Sequence, residues 1–103
     1  MTFPPIPSGI GKKRTITDID GNKQHFVILD EVTHVQSTNP GKVICLQRIQ
    51  FESDGRIEFR LAYYIIGKKP KMAGKWVWGQ YATMMPAQDF QAIIAQATKK
   101  GWI

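Results

Sequence analysis

Residues 56–66 read Arg-Ile-Glu-Phe-Arg-Leu-Ala-Tyr-Tyr-Ile-Ile, and their strict alternation decides the fold. In an extended chain Ile57, Phe59, Leu61, Tyr63 and Ile65 fall on one side, opposite Arg56, Glu58, Arg60, Ala62 and Tyr64. Such a strand belongs to a sheet with one packed and one polar face, the usual antiparallel arrangement. Immediately upstream, Ser53-Asp54-Gly55 supplies a turn, and the run 42–52 before it sets Val43, Cys45, Gln47, Ile49 and Phe51 on a common face. The pair reads as a β-hairpin.

Working further towards the N-terminus, Ser37-Thr38-Asn39-Pro40-Gly41 is a turn cluster, preceded by an extended stretch from His25 to Gln36 with a bend near Asp30. Residues 14–19 alternate and are rich in β-branched side chains. Asp20-Gly21 then tolerates the backbone angles of a tight hairpin turn. Residues 1–13 hold Pro4, Pro5 and Pro7 and no useful periodicity, so they read as an extended N-terminal arm, mobile unless docked. Residues 14–103 read as one domain.

Towards the C-terminus, residues 67–75 form a basic loop bracketed by glycines, and a last strand is expected from Lys75 to about Met84. There Trp76, Trp78, Gln80 and Ala82 alternate with Lys75, Val77, Gly79, Tyr81 and Thr83. Pro86 suits the first turn of a helix and Asp89 complements its dipole; Phe90, Ile93, Ile94 and Ala97 make a narrow apolar stripe. Gly101 fits the position just past the helix end. Strands first and one helix last predict an α+β fold: a curved antiparallel sheet of four to five strands with a C-terminal amphipathic helix packed on one face.

Composition limits the function classes. The 103 residues are 43% hydrophobic and 21% charged, as in ordinary globular chains. The single cysteine, Cys45, leaves no intramolecular disulfide and no multi-cysteine zinc site. No apolar run is long enough to span a membrane, and a cytoplasmic setting is the expectation. His25, His34 and Cys45 have no metal-ligand spacing, so neither a metal nor another cofactor is expected. Asp54, Glu58 and Arg60 resemble the acids of a hairpin nuclease, but arginine stands where that chemistry needs a group able to yield a proton. The sequence points away from catalysis.

Charge placement is more informative. The formal net charge is +6, and from Phe59 to Gln88 there is no acidic residue, whereas Arg60, Lys68, Lys69, Lys71 and Lys75 all fall there. Tyr63, Tyr64, Trp76, Trp78 and Tyr81 are interleaved with them. Cations that follow phosphates beside rings that stack on bases are what a single-stranded nucleic acid requires. If strands 56–66 and 75–84 pair, one sheet face displays Arg60, Tyr64, Trp76 and Trp78 beside a rim of Lys68, Lys69, Lys71 and Lys75, and helix cover on the opposite face leaves it free. An alternative is a protein-interaction or assembly module that uses this basic aromatic face, with Trp76 and Trp78 as anchors.

The run from Gly55 to Tyr64, the loop Gly67-Lys-Lys-Pro-Lys-Met-Ala-Gly-Lys75, and Met85-Pro-Ala-Gln-Asp-Phe90 after a further strand resemble the positive-cofactor-type single-stranded-DNA-binding coactivators, whose general fold the plant Whirly proteins share. The resemblance covers about forty residues and is one of residue types. It implies a curved sheet with a C-terminal helix, a homodimer, a role in transcription regulation, and nucleic acid bound along the strands. The matching positions are Arg60, Tyr63, Tyr64, Lys69, Lys71 and Lys75. Trp76-Val77-Trp78 and Tyr81 depart from the shorter aliphatic strand of that family.

Overall fold

The computed structural model describes residues 3–79 and 81–103. Its elements are β1 (Lys13–Thr17), β2 (Lys23–Val35), β3 (Lys42–Phe51), β4 (Ile57–Ile66), β5 (Trp76–Trp78) and α1 (Ala87–Lys99). The strands form one antiparallel sheet in the order β1-β2-β3-β4-β5. The α+β class, the successive hairpins and the C-terminal helix are those the alternation predicts. The β1–β2 turn is closed by Asp18, whose Oδ1 accepts the amides of Asp20 at 3.0 Å and Asn22 at 2.8 Å. Those bonds hold the Asp18 carboxyl below its ordinary pKa, after the leading contribution of the Gln24 side-chain amide.

The chain divides into two compact units, residues 3–7, 32–46 and 61–103 in one and residues 8–31 and 47–60 in the other. In the second unit Phe26, Ile28, Ile49 and Phe51 form the core. The Arg56 guanidinium lies 3.9 Å from the Phe51 ring centroid, and that of Arg60 lies 4.9 Å from the Phe26 centroid. Gln47, only 1% exposed, donates to Glu31 and accepts two bonds from Arg60, at 2.9 and 2.7 Å. A buried amide is tolerated because both its ends are paired.

In the first unit the core is Val32, Ile44, Leu46, Ile93 and Ala97, with Met85, Ile94 and Trp102 against it. Here α1 covers the sheet face of Ile44 and Leu46. The helix is rotated relative to the expected stripe. Phe90 is 47% exposed, whereas Asp89 is 1% exposed and lies on the inner line with Ile93 and Ala97. The reason is polar: Asp89 Oδ1 accepts the Ser37 amide at 3.0 Å and meets His34 Nε2 at 2.7 Å, and Oδ2 accepts the Ser37 hydroxyl at 2.8 Å. Burial alone pushes this carboxyl up, but the bonds from Ser37 and His34 outweigh it and hold it below the usual aspartate range. At the other end Gly101 takes φ 78°, its amide reaches Thr98, and the Trp102 amide reaches Ala97 at 3.0 Å. This left-handed stop turns Trp102 back onto the core.

The last strand is shorter than expected. Strand β5 ends at Trp78; Gln80 lies outside the described residues, and 81–86 carry no regular structure. The Gly79 amide still bonds the Tyr63 carbonyl at 2.8 Å, and the Tyr63 ring occupies the space where a Cβ on Gly79 would sit. The N-terminal arm is docked: Phe3 meets Trp76 edge-on at 5.8 Å, and the Trp76 indole donates to the Pro4 carbonyl at 2.9 Å. Among the described residues, no helix is long and apolar enough to cross a membrane.

Candidate nucleic-acid interface

Register fixes which side chains share a side. In the first unit Tyr64 opposes Trp78, Ile65 opposes Val77 and Ile66 opposes Trp76. Directly paired residues project from the same face, so Tyr64, Ile66, Trp76 and Trp78 stand on one side, and Tyr63, Ile65 and Val77 on the other. Tyr64 and Trp78 meet edge-on, with centroids 5.2 Å apart. The shared face expected for Tyr64, Trp76 and Trp78 is therefore present. It is not free, because Phe3 and Pro4 cap Trp76. All three rings are half-buried.

Arg60 is placed differently. It belongs to the second unit, where its guanidinium is engaged by Gln47 and Phe26. Arg56 and Glu58 are exposed as the alternation expects, but so are Ile57, Phe59 and Leu61, which it set on the packed face, while Gln47 draws Arg60 inward. Asp54 and Glu58 are both held by Arg56, at 2.9 and 2.6 Å. The amide and guanidinium of Arg56 keep the Asp54 carboxyl below its ordinary pKa. Among the described residues, no three His, Cys, Asp or Glu side chains cluster as a metal site requires.

The lysine loop is exposed throughout: Lys68, Lys69, Lys71 and Lys75 all face solvent. Its backbone is pinned. The Gly67 amide bonds Lys75 at 2.9 Å, the Gly74 amide bonds Gly67 at 3.1 Å, and the Met72 amide bonds Lys69 at 2.9 Å. The bonded backbone thus holds the stems of four exposed lysines together on one loop.

Two of these lysines rim a groove. It encloses about 550 Å³ and is lined by Tyr63, Ile65, Val77, Trp78 and Tyr81, with Met72, Lys68 and Lys69 at the loop side. A second groove of about 470 Å³ shares Tyr63, Ile65 and Tyr81 and adds Gln36, Asn39, Lys42 and Met84. Tyr81 is 81% exposed and borders both. The Lys42 ammonium donates to the Met84 carbonyl at 2.7 Å and lies 4.9 Å from the Tyr63 ring centroid. Burial pushes the Lys42 pKa down, against the opposing pull of Asp89.

The structure thus gathers Lys68, Lys69, Trp78 and Tyr81 around concave surface, leaves Lys71 and Lys75 on the exposed loop, and engages Trp76 and Arg60 elsewhere. Sequence reasoning singled out neither Lys42 nor Tyr81 as a site residue. For Tyr81 the signal was present, a tyrosine inside the acid-free window; for Lys42 it was not, because that lysine reaches the site across the sheet. No family model matches the chain, and comparison with curated proteins and with solved structures found no match.

Proposed function

We propose that the protein is a non-catalytic module that binds single-stranded nucleic acid through the lysine loop and the adjoining aromatic groove. The observation that carries this reading is the groove that joins Lys68 and Lys69 to Trp78 and Tyr81. Cations beside the exposed Tyr81 ring and the half-buried Trp78 ring suit a flexible strand, whose phosphates follow the loop while a base enters the groove. A groove of about 550 Å³ has room for a base with its sugar. The likeness of residues 55–90 to the positive-cofactor type favours single-stranded DNA, a homodimer and a cytoplasmic role in transcription regulation.

The test is a low-salt titration of tryptophan fluorescence with single-stranded and duplex oligonucleotides. Saturable quenching by the single strand and weaker binding of the duplex are expected. Tyr81→Ala lowers affinity by about 5- to 150-fold, the range for loss of one base–ring stack. Lys69→Glu lowers it by about tenfold or more at 50 mM salt, as for a lost phosphate contact. Absence of binding at low salt, or binding indifferent to both substitutions, rules the proposal out.

A further inference from the structure

The Trp76 side of β4–β5 already holds a ligand, which is the chain's own arm. Phe3-Pro4-Pro5-Ile6-Pro7 runs without regular hydrogen bonding. Its prolines fix φ near −65° and leave carbonyls as the only backbone hydrogen-bonding groups at those positions. Trp76 answers both properties, since its indole N–H donates to the Pro4 carbonyl at 2.9 Å and its ring takes the edge of Phe3 at 5.8 Å. Tyr64 and Trp78, in edge-on contact with each other, lie on the same face. Aromatic rings with an indole donor, set against a proline-rich strand, are the chemistry by which polyproline segments are recognised, because such a segment loses little entropy on docking.

We propose that the Trp76 face is a docking surface for a proline-rich segment of a partner protein, and that residues 3–7 are its built-in occupant. The arm's own composition argues for this partner chemistry: the ligand seated there is an aromatic residue followed by prolines, joined through a proline carbonyl. A tethered arm acts at an effective concentration in the millimolar range, so an outside segment gains the surface when the arm is released or when it binds more tightly than the arm. Trp78 and Ile66 border both this surface and the groove, but neither Trp76 nor the arm lines the groove, so a readout at Trp76 tests the inference whether or not nucleic acid binds there.

The probe is a synthetic peptide, Phe-Pro-Pro-Ile-Pro-Ser, with a control carrying alanine at each proline. The readout is the Trp76 indole N–H resonance in the full-length chain, followed by hydrogen exchange and by peptide titration. In the unsubstituted chain the indole is expected to exchange at least about tenfold more slowly than a free indole and to respond little to submillimolar peptide. In full-length Phe3→Ala the exchange quickens, and the peptide shifts the resonance saturably whereas the alanine control does not. Adding Trp76→Phe to that chain removes the donor and weakens the peptide about 2- to 12-fold, followed through the Trp78 indole.

A fast-exchanging indole in the unsubstituted chain, or a Phe3→Ala chain blind to the peptide, overturns the proposal. So does equal binding of the alanine control. Protection that grows with protein concentration alongside a dimer in sedimentation also overturns it, since the occupant is then the arm of a second copy.

Discussion

Asp89 joins the helix to the sheet through one buried side chain. Its carboxylate is buried yet takes the Ser37 amide, the Ser37 hydroxyl and the His34 ring, tying the first turn of α1 to the end of β2 and the turn after it. A buried carboxylate is stable only while those bonds are made. Asp89→Ala leaves the Ser37 amide and hydroxyl without their acceptor, and the melting temperature is expected to fall by at least about 4–8 °C at pH 7. The pH dependence has a definite sign. The folded-state pKa lies below the ordinary aspartate value, so this group's stabilisation is complete above the unfolded value of about 3.9 and is lost as pH falls through the folded one. Thermal melts of the two chains should therefore converge as pH drops below about 3.9. A constant gap down to pH 2 means that the charge contributes nothing. In the sequence Asp89 shows only as an acid in a helix's first turn. Its partner Ser37 lies 52 residues away, and only the packed sheet reveals that the carboxylate, rather than Phe90, turns inward.

At the scale of elements, what the sequence makes legible is what is local. The strands β3 and β4, the turns between strands and the helix α1 each arise from patterns within about ten residues, and these elements appear in the structure. The faces they bury do not all follow: Ile57, Phe59, Leu61 and Phe90 are exposed. The length of β5 does not follow either. Alternation alone would carry it on to Met84, whereas β5 ends at Trp78; the Tyr63 ring fills the side-chain position at Gly79, a requirement for glycine that is written on another strand. Gly79→Ala forces that ring or the chain to move, and overpacking of this kind costs about 1–3 kcal/mol. Urea unfolding followed by circular dichroism measures it; an unchanged midpoint shows that the ring has somewhere else to go. The arm follows the same logic. Its prolines announce an extended segment, yet its docking partner Trp76 is 72 residues from Pro4, beyond any local pattern.

For the whole molecule, the net charge of +6 admits two readings, a diffuse attraction for polyanions or a local array. The acid-free window already favours the second, and its four loop lysines are exposed. The lysine half of the site was thus legible from charge order alone, whereas the concave half needed the cross-strand pairing that brings Tyr63, Val77 and Trp78 together. Counterion release separates the two readings. If the four lysines of the loop each neutralise a phosphate, the logarithm of the single-strand association constant falls with the logarithm of salt at a slope of about −2.8. Affinity then drops about 50-fold between 50 and 200 mM salt. Lys69→Gln should reduce the slope to about −2.1 by removing one contact. Tyr81→Ala should lower affinity and leave the slope unchanged, because stacking releases no ions. The deciding control is Lys23→Gln, which removes the same charge from the start of β2 in the other unit. A local array leaves its slope at the unsubstituted value, whereas a diffuse attraction changes it as much as Lys69→Gln does, and that result would withdraw the loop from the proposed interface.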